Sequence, residues 1–269
     1  MTIPTAVAPR RGTLREFITG VGYLGRGLRM YVSAPRIMWL GVIPAFIVSV
    51  VYLAGIVVLV MNIESIVEFT TPFAAGLPEA LRLLVRALIG IALLAVGLVL
   101  FIFTFTAVTL AVGDPFYEQI WNKTESLIGE PPVDLELSLG TKIGRAIVDT
   151  LRLLLITVLV SIGVFLIGLI PFVGTVAGAA LGALFGGWFL TLELTGFAFE
   201  ARGLRLRDRR HTLRVRRART LGFGVATYLF FLVPFAAVIV MPAAVAGATL
   251  LSRDALAEGQ YLMRLPEPR

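Results

Sequence analysis

The chain has 269 residues, of which 58% are hydrophobic and 15% are charged, and its mean hydropathy is +0.91. Soluble domains are typically about 45–50% apolar and about 25% charged, so this composition excludes an ordinary globular protein and favours an integral membrane protein. Cysteine is absent and histidine occurs once, which excludes disulfides and the usual zinc and haem sites, and we expect no metal and no cofactor. The basic residues behind the net charge of +7 flank apolar segments and do not form a basic face of a soluble domain. We therefore expect no nucleic acid partner.

Two long windows without charged residues, near 39–60 and 87–113, predict transmembrane helices. At 1.5 Å per residue they reach about 33 Å and about 40 Å, whereas the hydrocarbon core of a bilayer is about 30 Å thick. Both helices are therefore long enough to cross a membrane.

Two further apolar windows, 153–192 with Pro171 and 220–252 with Pro234 and Pro242, predict helical hairpins with tips at Pro171 and Pro234. The arms beside Pro234 reach only about 20–26 Å, so we expect the hairpins to enter the bilayer without crossing it fully. The predicted fold class is an all-α integral membrane protein with two long transmembrane helices, two partly penetrating hairpins and interfacial amphipathic helices.

Two amphipathic segments outside these windows predict the interfacial helices. The first begins with a capping-box pattern at Thr13, and the second covers 141–152. The predicted organisation is a cytoplasmic segment at 1–36, one membrane domain at 37–255 and a tail at 256–269.

The loop between the two hairpins, 200–219, contains nine arginines and two acidic residues. Because Lys and Arg accumulate on the cytoplasmic side of the cell membrane, this loop and both termini are predicted to be cytoplasmic. We expect anionic lipid head groups to contact Arg205, Arg207, Arg209, Arg210, Arg214, Arg216 and Arg217. Binding of a soluble anion or of nucleic acid is the alternative for this loop.

Four glycines recur at every fourth position of the window 153–192, namely Gly174, Gly178, Gly182 and Gly186. Small residues at this spacing let membrane helices approach closely, so we expect a helix-packing face. The alternative is that the same backbone lines a narrow pore. The threonines of the window 87–113 leave a similar choice, because their hydroxyls can line a pathway or bond back to a carbonyl one turn earlier.

The sequence offers little for catalysis, and we expect that the protein is not an enzyme. His211 lies in the arginine-rich loop without a nearby serine and carboxylate that would suggest a triad, and no phosphate-binding loop motif occurs. No Lys, His or carboxylate lies deep in a predicted span, where proton-coupled transporters usually carry one. A passive or channel-like pathway therefore fits better if the protein moves a solute.

Several short motifs occur in an order that is known from one family. They are Ser33-Ala-Pro35, Ile43-Pro44, Asp114-Pro115-Phe116 with Glu125, Ile170-Pro171-Phe-Val-Gly174, Thr212-Leu213-Arg214, Gly222-Phe223-Gly224, Pro234, and Met241-Pro242 through Thr249. On these motifs, which cover roughly 15–255, the chain resembles the CysZ and etoposide-induced membrane protein family. The resemblance implies two long membrane helices with two partly penetrating hairpins, and for bacterial members it implies a homo-oligomer that transports sulfate.

The resemblance also implies a candidate anion site just before the first span. The family pattern there is Pro, Gly, a hydrophobic residue and two arginines, whereas this chain has Pro35-Arg36-Ile37-Met38-Trp39. Met38 and Trp39 replace both arginines, so the site carries over only in part, to Arg36 with Arg29 as its neighbour. Arginines suit this role because a sulfate dianion needs charge-assisted donors.

Two hypotheses of different classes follow. The preferred one is a membrane transport protein with a passive pathway for sulfate or a related small anion, in which Arg36 attracts the anion. The alternative is a membrane-organising or protein-interaction protein of the same family, whose hairpins and arginine-rich loop hold the membrane and its partners without transport.

Overall fold

The computed structural model describes residues 12–129, 132, 139–233 and 235–263, and the elements among them are helical. The α-helices are α1 (Thr13–Ser33), α2 (Pro35–Met61), α3 (Ile63–Thr70), α4 (Glu79–Ile128), α5 (Leu139–Gly168), α6 (Val173–Leu194), α7 (Gly196–Glu200), α8 (Leu206–Val215), α9 (Arg217–Phe231) and α10 (Ala236–Met263). A short 3-10 helix, Pro72–Gly76, lies between α3 and α4. The predicted all-α fold class is confirmed.

Five stretches of the described helices are long and apolar enough to cross a membrane. They are Pro35–Met61, Glu79–Ile128, Leu151–Gly168, Gly174–Leu194 and Ala236–Glu258. In the first four stretches at most 17% of the apolar window is buried inside the protein, against 67% in α10. α10 is therefore a central helix covered by other helices, whereas α2, α4, α5 and α6 turn most of their apolar side chains outward, as helices in lipid do.

α4 extends well beyond the predicted span at 87–113. It has 50 residues and is therefore about 75 Å long, more than twice the thickness of the hydrocarbon core. The helix continues through Pro115, which removes one backbone hydrogen bond. Tyr117 and Ile120, which are 1% and 0% exposed, pack in the core formed with α1 and α10. This packing holds the helix together past the proline.

The first predicted hairpin is present, with α5 and α6 joined by a turn at 169–172 that contains Pro171. Phe172 has a φ of 63° and is 94% exposed, so an aromatic residue adopts the left-handed conformation that glycine usually takes. The amphipathic segment predicted separately at 141–152 is the first part of α5. A single helix forms because no proline separates its polar and apolar parts.

α9 and α10 form the second hairpin, and Pro234, its predicted tip, lies outside the described residues. Phe235, just after it, repeats the left-handed conformation with a φ of 64°. α10 has 28 residues and is longer than the predicted arm of about 17, so the predicted boundary at residue 255 falls inside a helix. Glu258, beyond that boundary, forms ion pairs with Arg219 of α9 and with Arg216 just before it, which stabilises this part of α10.

One face of α1 packs tightly on the rest of the bundle. A Cβ atom at Gly20 or Gly27 would lie 2.0 Å or 2.2 Å from a backbone oxygen of α9 or α10, respectively. The predicted capping box is wrong, because Gly12 occupies the N-cap without a side-chain hydrogen bond and Glu16 is buried. The opposite face is apolar and exposed at Leu14, Ile18, Leu28 and Val32. α1 is thus fixed to the protein on one side and keeps the apolar side typical of an interfacial helix on the other.

Candidate functional site

The ion pairs of the described residues concentrate where the open ends of both hairpins meet the start of α1 and the end of α4. We call this region the polar end of the bundle. One further pair, Arg86 with Glu68 at 2.9 Å, joins α4 to α3 near the other end of α4. The polar end forms because charged residues occur where the apolar windows stop.

A cluster of four charges ties α1 to α9 and α10. The carboxylate of Glu16, a residue that is 5% exposed, accepts hydrogen bonds of 2.8 Å from the guanidiniums of Arg216 and Arg219. The same two guanidiniums donate to Glu258 at 3.1 and 3.0 Å. Burial lowers the pKa of Arg219, but its hydrogen bond to Glu16 and the nearby Glu258 outweigh burial and raise that pKa above its ordinary value. The two arginines and two carboxylates balance each other.

A second cluster surrounds Glu125 of α4, which is fully buried. Nη2 of Arg202 lies 3.0 Å from one carboxylate oxygen and donates to the other at 3.2 Å. Nη1 of Arg253 lies 3.5 Å from the carboxylate, and Arg202 also donates to the carbonyl oxygen of Ala198 at 2.7 Å. Two guanidiniums around one carboxylate leave this cluster with a net charge of +1.

Tyr23 adds a neutral link between α1 and α10 at the same end. Its hydroxyl donates a short hydrogen bond to the carboxylate of Asp254, and its ring is 3.9 Å from the guanidinium carbon of Arg26. Burial, followed by the hydrogen bond to Asp254, raises the pKa of Tyr23 to about 12. Tyr23 therefore stays protonated across the physiological range.

Arg29 and Arg36, the candidate anion pair, flank the junction between α1 and α2, and both are exposed. Neither forms an ion pair with any carboxylate of the described residues. Arg36 is the second residue of α2, directly after Pro35. Its charge therefore adds to the positive end of the helix dipole at the start of the first long membrane helix.

The arginine-rich loop folds as α7, α8 and the start of α9. Exposed guanidiniums are found there at Arg205, Arg207, Arg214 and Arg217. Arg209 is 4% exposed and lies 3.7 Å from Glu200, so its burial contradicts the predicted lipid contact. Arg216 is partly buried and pairs with Glu16 and Glu258, and its lipid contact stays a prediction.

A cavity of about 750 Å³ opens beside α8 at the polar end. Its charged lining residues include Arg152 of α5 with Arg207, Asp208, Arg210 and Arg214 of α8. Ile156 and Leu256 form part of an apolar wall. The cavity thus combines excess positive charge with an apolar surface.

The four glycines of α6 lie at contacts with two different helices. Gly174, Gly178 and Gly182 approach α5, whereas Gly186 approaches α9. A Cβ atom at Gly174 would lie 2.4 Å from a carbonyl oxygen of α5, and one at Gly186 would lie 2.4 Å from a tyrosine ring of α9. The contacts at Gly178 and Gly182 are looser, at 3.2 and 4.0 Å. The ladder therefore marks where α6 meets its neighbours.

Sequence reasoning missed the acidic partners of the polar end. Glu16, Glu125 and Glu258 each lie near two arginines of other elements. The sequence offers one signal for these partners, which is that acidic residues are outnumbered by basic ones, 17 against 24. A carboxylate that starts or ends an otherwise apolar helix in such a chain is costly to bury alone and is therefore expected to pair.

Comparison with known proteins gives consistent matches over most of the chain. The family described as Sulfate transporter CysZ/Etoposide-induced protein 2.4 matches residues 23–242. A protein of Pseudomonas fluorescens named sulfate transporter CysZ is 30% identical over 251 residues, which cover 92% of this chain and 94% of that protein. Proteins of the same name from Vibrio parahaemolyticus and Pseudomonas syringae are 28% and 29% identical, each over 87% of this chain and over 93% and 91% of their own lengths.

Proposed function

The chain belongs to the sulfate transporter CysZ/etoposide-induced protein 2.4 family, and we propose that it conducts sulfate or a related small anion through a passive, channel-like pathway. The names of the relatives support the substrate class and favour transport over catalysis. The observation that carries the proposal is Arg36, an exposed cation at the start of α2 that no described carboxylate neutralises.

Arg36 differs in this respect from the arginines of the two buried clusters. Arg202, Arg216, Arg219 and Arg253 each lie within 3.5 Å of a carboxylate oxygen. An anion that approached them would compete with a carboxylate that is already bound. Arg36, with Arg29 across the helix junction, offers its full charge at the positive end of the α2 dipole.

The pathway is proposed to be passive because the middle of each long apolar helix carries no Lys, His or carboxylate that could couple transport to protons. No charged residue occurs between Arg36 and Glu64 or in the window 87–113. Proton-coupled transporters usually carry an ionisable residue inside the membrane. The anion is therefore expected to move down its own gradient.

The proposal includes an orientation in the cell membrane, with the polar end and both termini in the cytoplasm. Exposed arginines of α8 and α9 support it, because Lys and Arg favour the cytoplasmic side. The chain has no cysteine, so single cysteines can be introduced at His211 of the polar end and at Phe73 near the opposite end of α4. In intact cells a membrane-impermeant maleimide should label the cysteine at 73 and not the one at 211, and the reverse pattern would overturn the orientation.

Self-association is the remaining part of the proposal, and it rests on the family resemblance. Light scattering of the purified protein in a neutral detergent gives the mass of the protein component. A mass of at least twice the 29.1 kDa of one chain is expected. A single chain at all protein concentrations would remove this part and leave the proposed pathway in place.

The transport test is uptake of labelled sulfate into liposomes that contain the purified protein. Empty liposomes give the background, and chloride and phosphate are added as competitors to rank the anions. Saturable uptake is expected for the parent, with a large loss in Arg36→Ala and partial retention in Arg36→Lys, which keeps the charge.

Arg15→Ala is the matched control, because Arg15 is also exposed and its removal changes the net charge equally. Uptake at the level of empty liposomes by folded, inserted protein would overturn the transport proposal. Equal loss in Arg15→Ala and Arg36→Ala would instead remove Arg36 as the specific site.

A further inference from the structure

The cavity beside α8 has a lining that is unusually rich in guanidinium groups. The charged residues of the described lining are Arg152, Arg207, Arg210, Arg214 and Asp208. Four arginines and one aspartate give these residues a net charge of +3. The carboxylate of Asp208 already accepts a hydrogen bond of 3.0 Å from the backbone amide of Arg205, as part of the α8 N-terminus. The lining therefore suits an anion, and guanidinium groups match phosphate oxygens particularly well.

The same cavity has an apolar wall that an inorganic anion would not use. It is lined by Ile156 of α5, Leu206 of α8, Leu256 of α10 and Leu204, which precedes α8. Leu206 is 2% exposed, so this wall is continuous with the packed interior. A ligand that fills the cavity must carry both an anionic group and apolar surface.

The cavity also lies where the polar and apolar parts of α5 meet. Arg152 is the second residue of the candidate span of α5, Leu151–Gly168, and the remainder of that span carries no charged residue. Beyond Arg152 on the same side of the helix, Leu155 and Leu159 are both 61% exposed, which marks this side as a lipid-facing surface. A head group in the cavity would therefore have its acyl chains at the level of hydrocarbon.

We propose that this cavity is a binding site for one anionic phospholipid, whose phosphate is held by Arg152, Arg210 and Arg214 and whose acyl chain lies along Ile156. The site goes beyond the proposed transport pathway and contains neither Arg29 nor Arg36. Because Arg152 belongs to α5 and the other two arginines to α8, the bound lipid links the open end of the first hairpin to α8.

The test is native mass spectrometry of the delipidated full-length protein in a neutral detergent. Dioleoyl phosphatidylglycerol is added as the anionic lipid, and dioleoyl phosphatidylcholine serves as the zwitterionic comparison. The parent is expected to retain phosphatidylglycerol in preference to phosphatidylcholine. In Arg210→Ala/Arg214→Ala the phosphatidylglycerol affinity is expected to fall about tenfold to thirtyfold.

Arg15→Ala/Arg217→Ala is the matched control, because it removes the same charge from exposed positions outside the lining. Its affinity is expected to equal that of the parent, and circular dichroism checks that every variant is folded. Equal affinities of the cavity variant and the parent, or equal losses in both double variants, would overturn the site.

A second arm separates a lipid from a free phosphate ion. Ile156→Asn keeps every arginine but makes the wall polar, and it is expected to weaken phosphatidylglycerol binding. Full binding by this variant, or displacement of the lipid by excess inorganic phosphate, would show a small-anion site and overturn the lipid assignment. The lipid-binding measurement does not depend on transport. If the parent protein binds the lipid but takes up no sulfate, the proposed function is refuted and the lipid site stands.

Discussion

A Cβ atom at Gly20 would lie 2.0 Å from the carbonyl oxygen of Arg219, so α1 and α9 touch backbone to backbone at this point. The contact is reciprocal, because a Cβ atom at Gly222 would lie 2.0 Å from the carbonyl oxygen of Phe17. One turn before Gly20, Glu16 reaches the guanidinium of Arg219 at 2.8 Å. The glycine crossing therefore sets the distance at which the buried ion pair forms.

The first prediction concerns this crossing. Gly20→Ala is expected to lower the free energy of unfolding by about 1–3 kcal/mol or more, because backbone atoms cannot move aside for the added methyl group. Gly25→Ala on the same helix meets nothing within 4 Å and is expected to raise it by about 0.5–1 kcal/mol. Thermal unfolding followed by circular dichroism in detergent measures both, and equal shifts would contradict the close contact.

The second prediction concerns the fully buried Glu125. Glu125→Ala is expected to destabilise the protein by about 3–5 kcal/mol, because Arg202 and Arg253 lose the carboxylate that compensates their charge. Glu118→Ala, on the exposed side of α4, is the control and is expected to change little. Denaturant unfolding in detergent compares the two variants. A similar small change in both would show that the buried carboxylate contributes no stability.

The third prediction concerns the coupling between Glu16 and Arg219. A double-mutant cycle with Glu16→Ala, Arg219→Ala and the double variant is expected to give a coupling energy of about 1–3 kcal/mol. Each single variant should cost more than an exposed charge does, since it leaves a buried cluster whose charges no longer balance. Additive effects of the two substitutions would contradict a direct ion pair.

The fourth prediction concerns pH. Because the pKa of Tyr23 is raised from 10.0 to about 12, the folded state keeps a proton that the unfolded chain loses. The stabilisation is therefore complete below pH 10 and is lost as the pH rises towards 12. Tyr23→Phe should cost about 1 kcal/mol below pH 10, and its difference from the parent in unfolding free energy should shrink above pH 10. A constant difference from pH 9 to 11.5 would contradict the shift.

The sequence predicts those parts of the fold that local signals define. The window at 39–60 corresponds to α2 because an apolar stretch of that length has no other stable environment. The turn at Pro171 follows from the missing amide and fixed φ of proline. The positive φ of Phe172 does not follow, because an aromatic residue has no local preference for that conformation.

The parts that could not be predicted depend on contacts between distant segments. Glu16 resembles a capping residue in the sequence, and only the packing of α1 on α9 brings it to Arg216 and Arg219. Arg209 looks like its exposed neighbours in the loop until the fold buries it near Glu200. Of the candidate site, Arg29 and Arg36 are identified through the family resemblance, and their lack of carboxylate partners among the described residues becomes visible only in three dimensions.

A helix as long as α4 converts a small change of angle into a large displacement of its far end. The helix carries Glu125 in the polar end, and Pro115 interrupts its hydrogen bonding between that end and the membrane-spanning part. The arm from Pro115 back to Glu79 is about 54 Å long, so a swing of about 10° would displace its tip by roughly 9 Å.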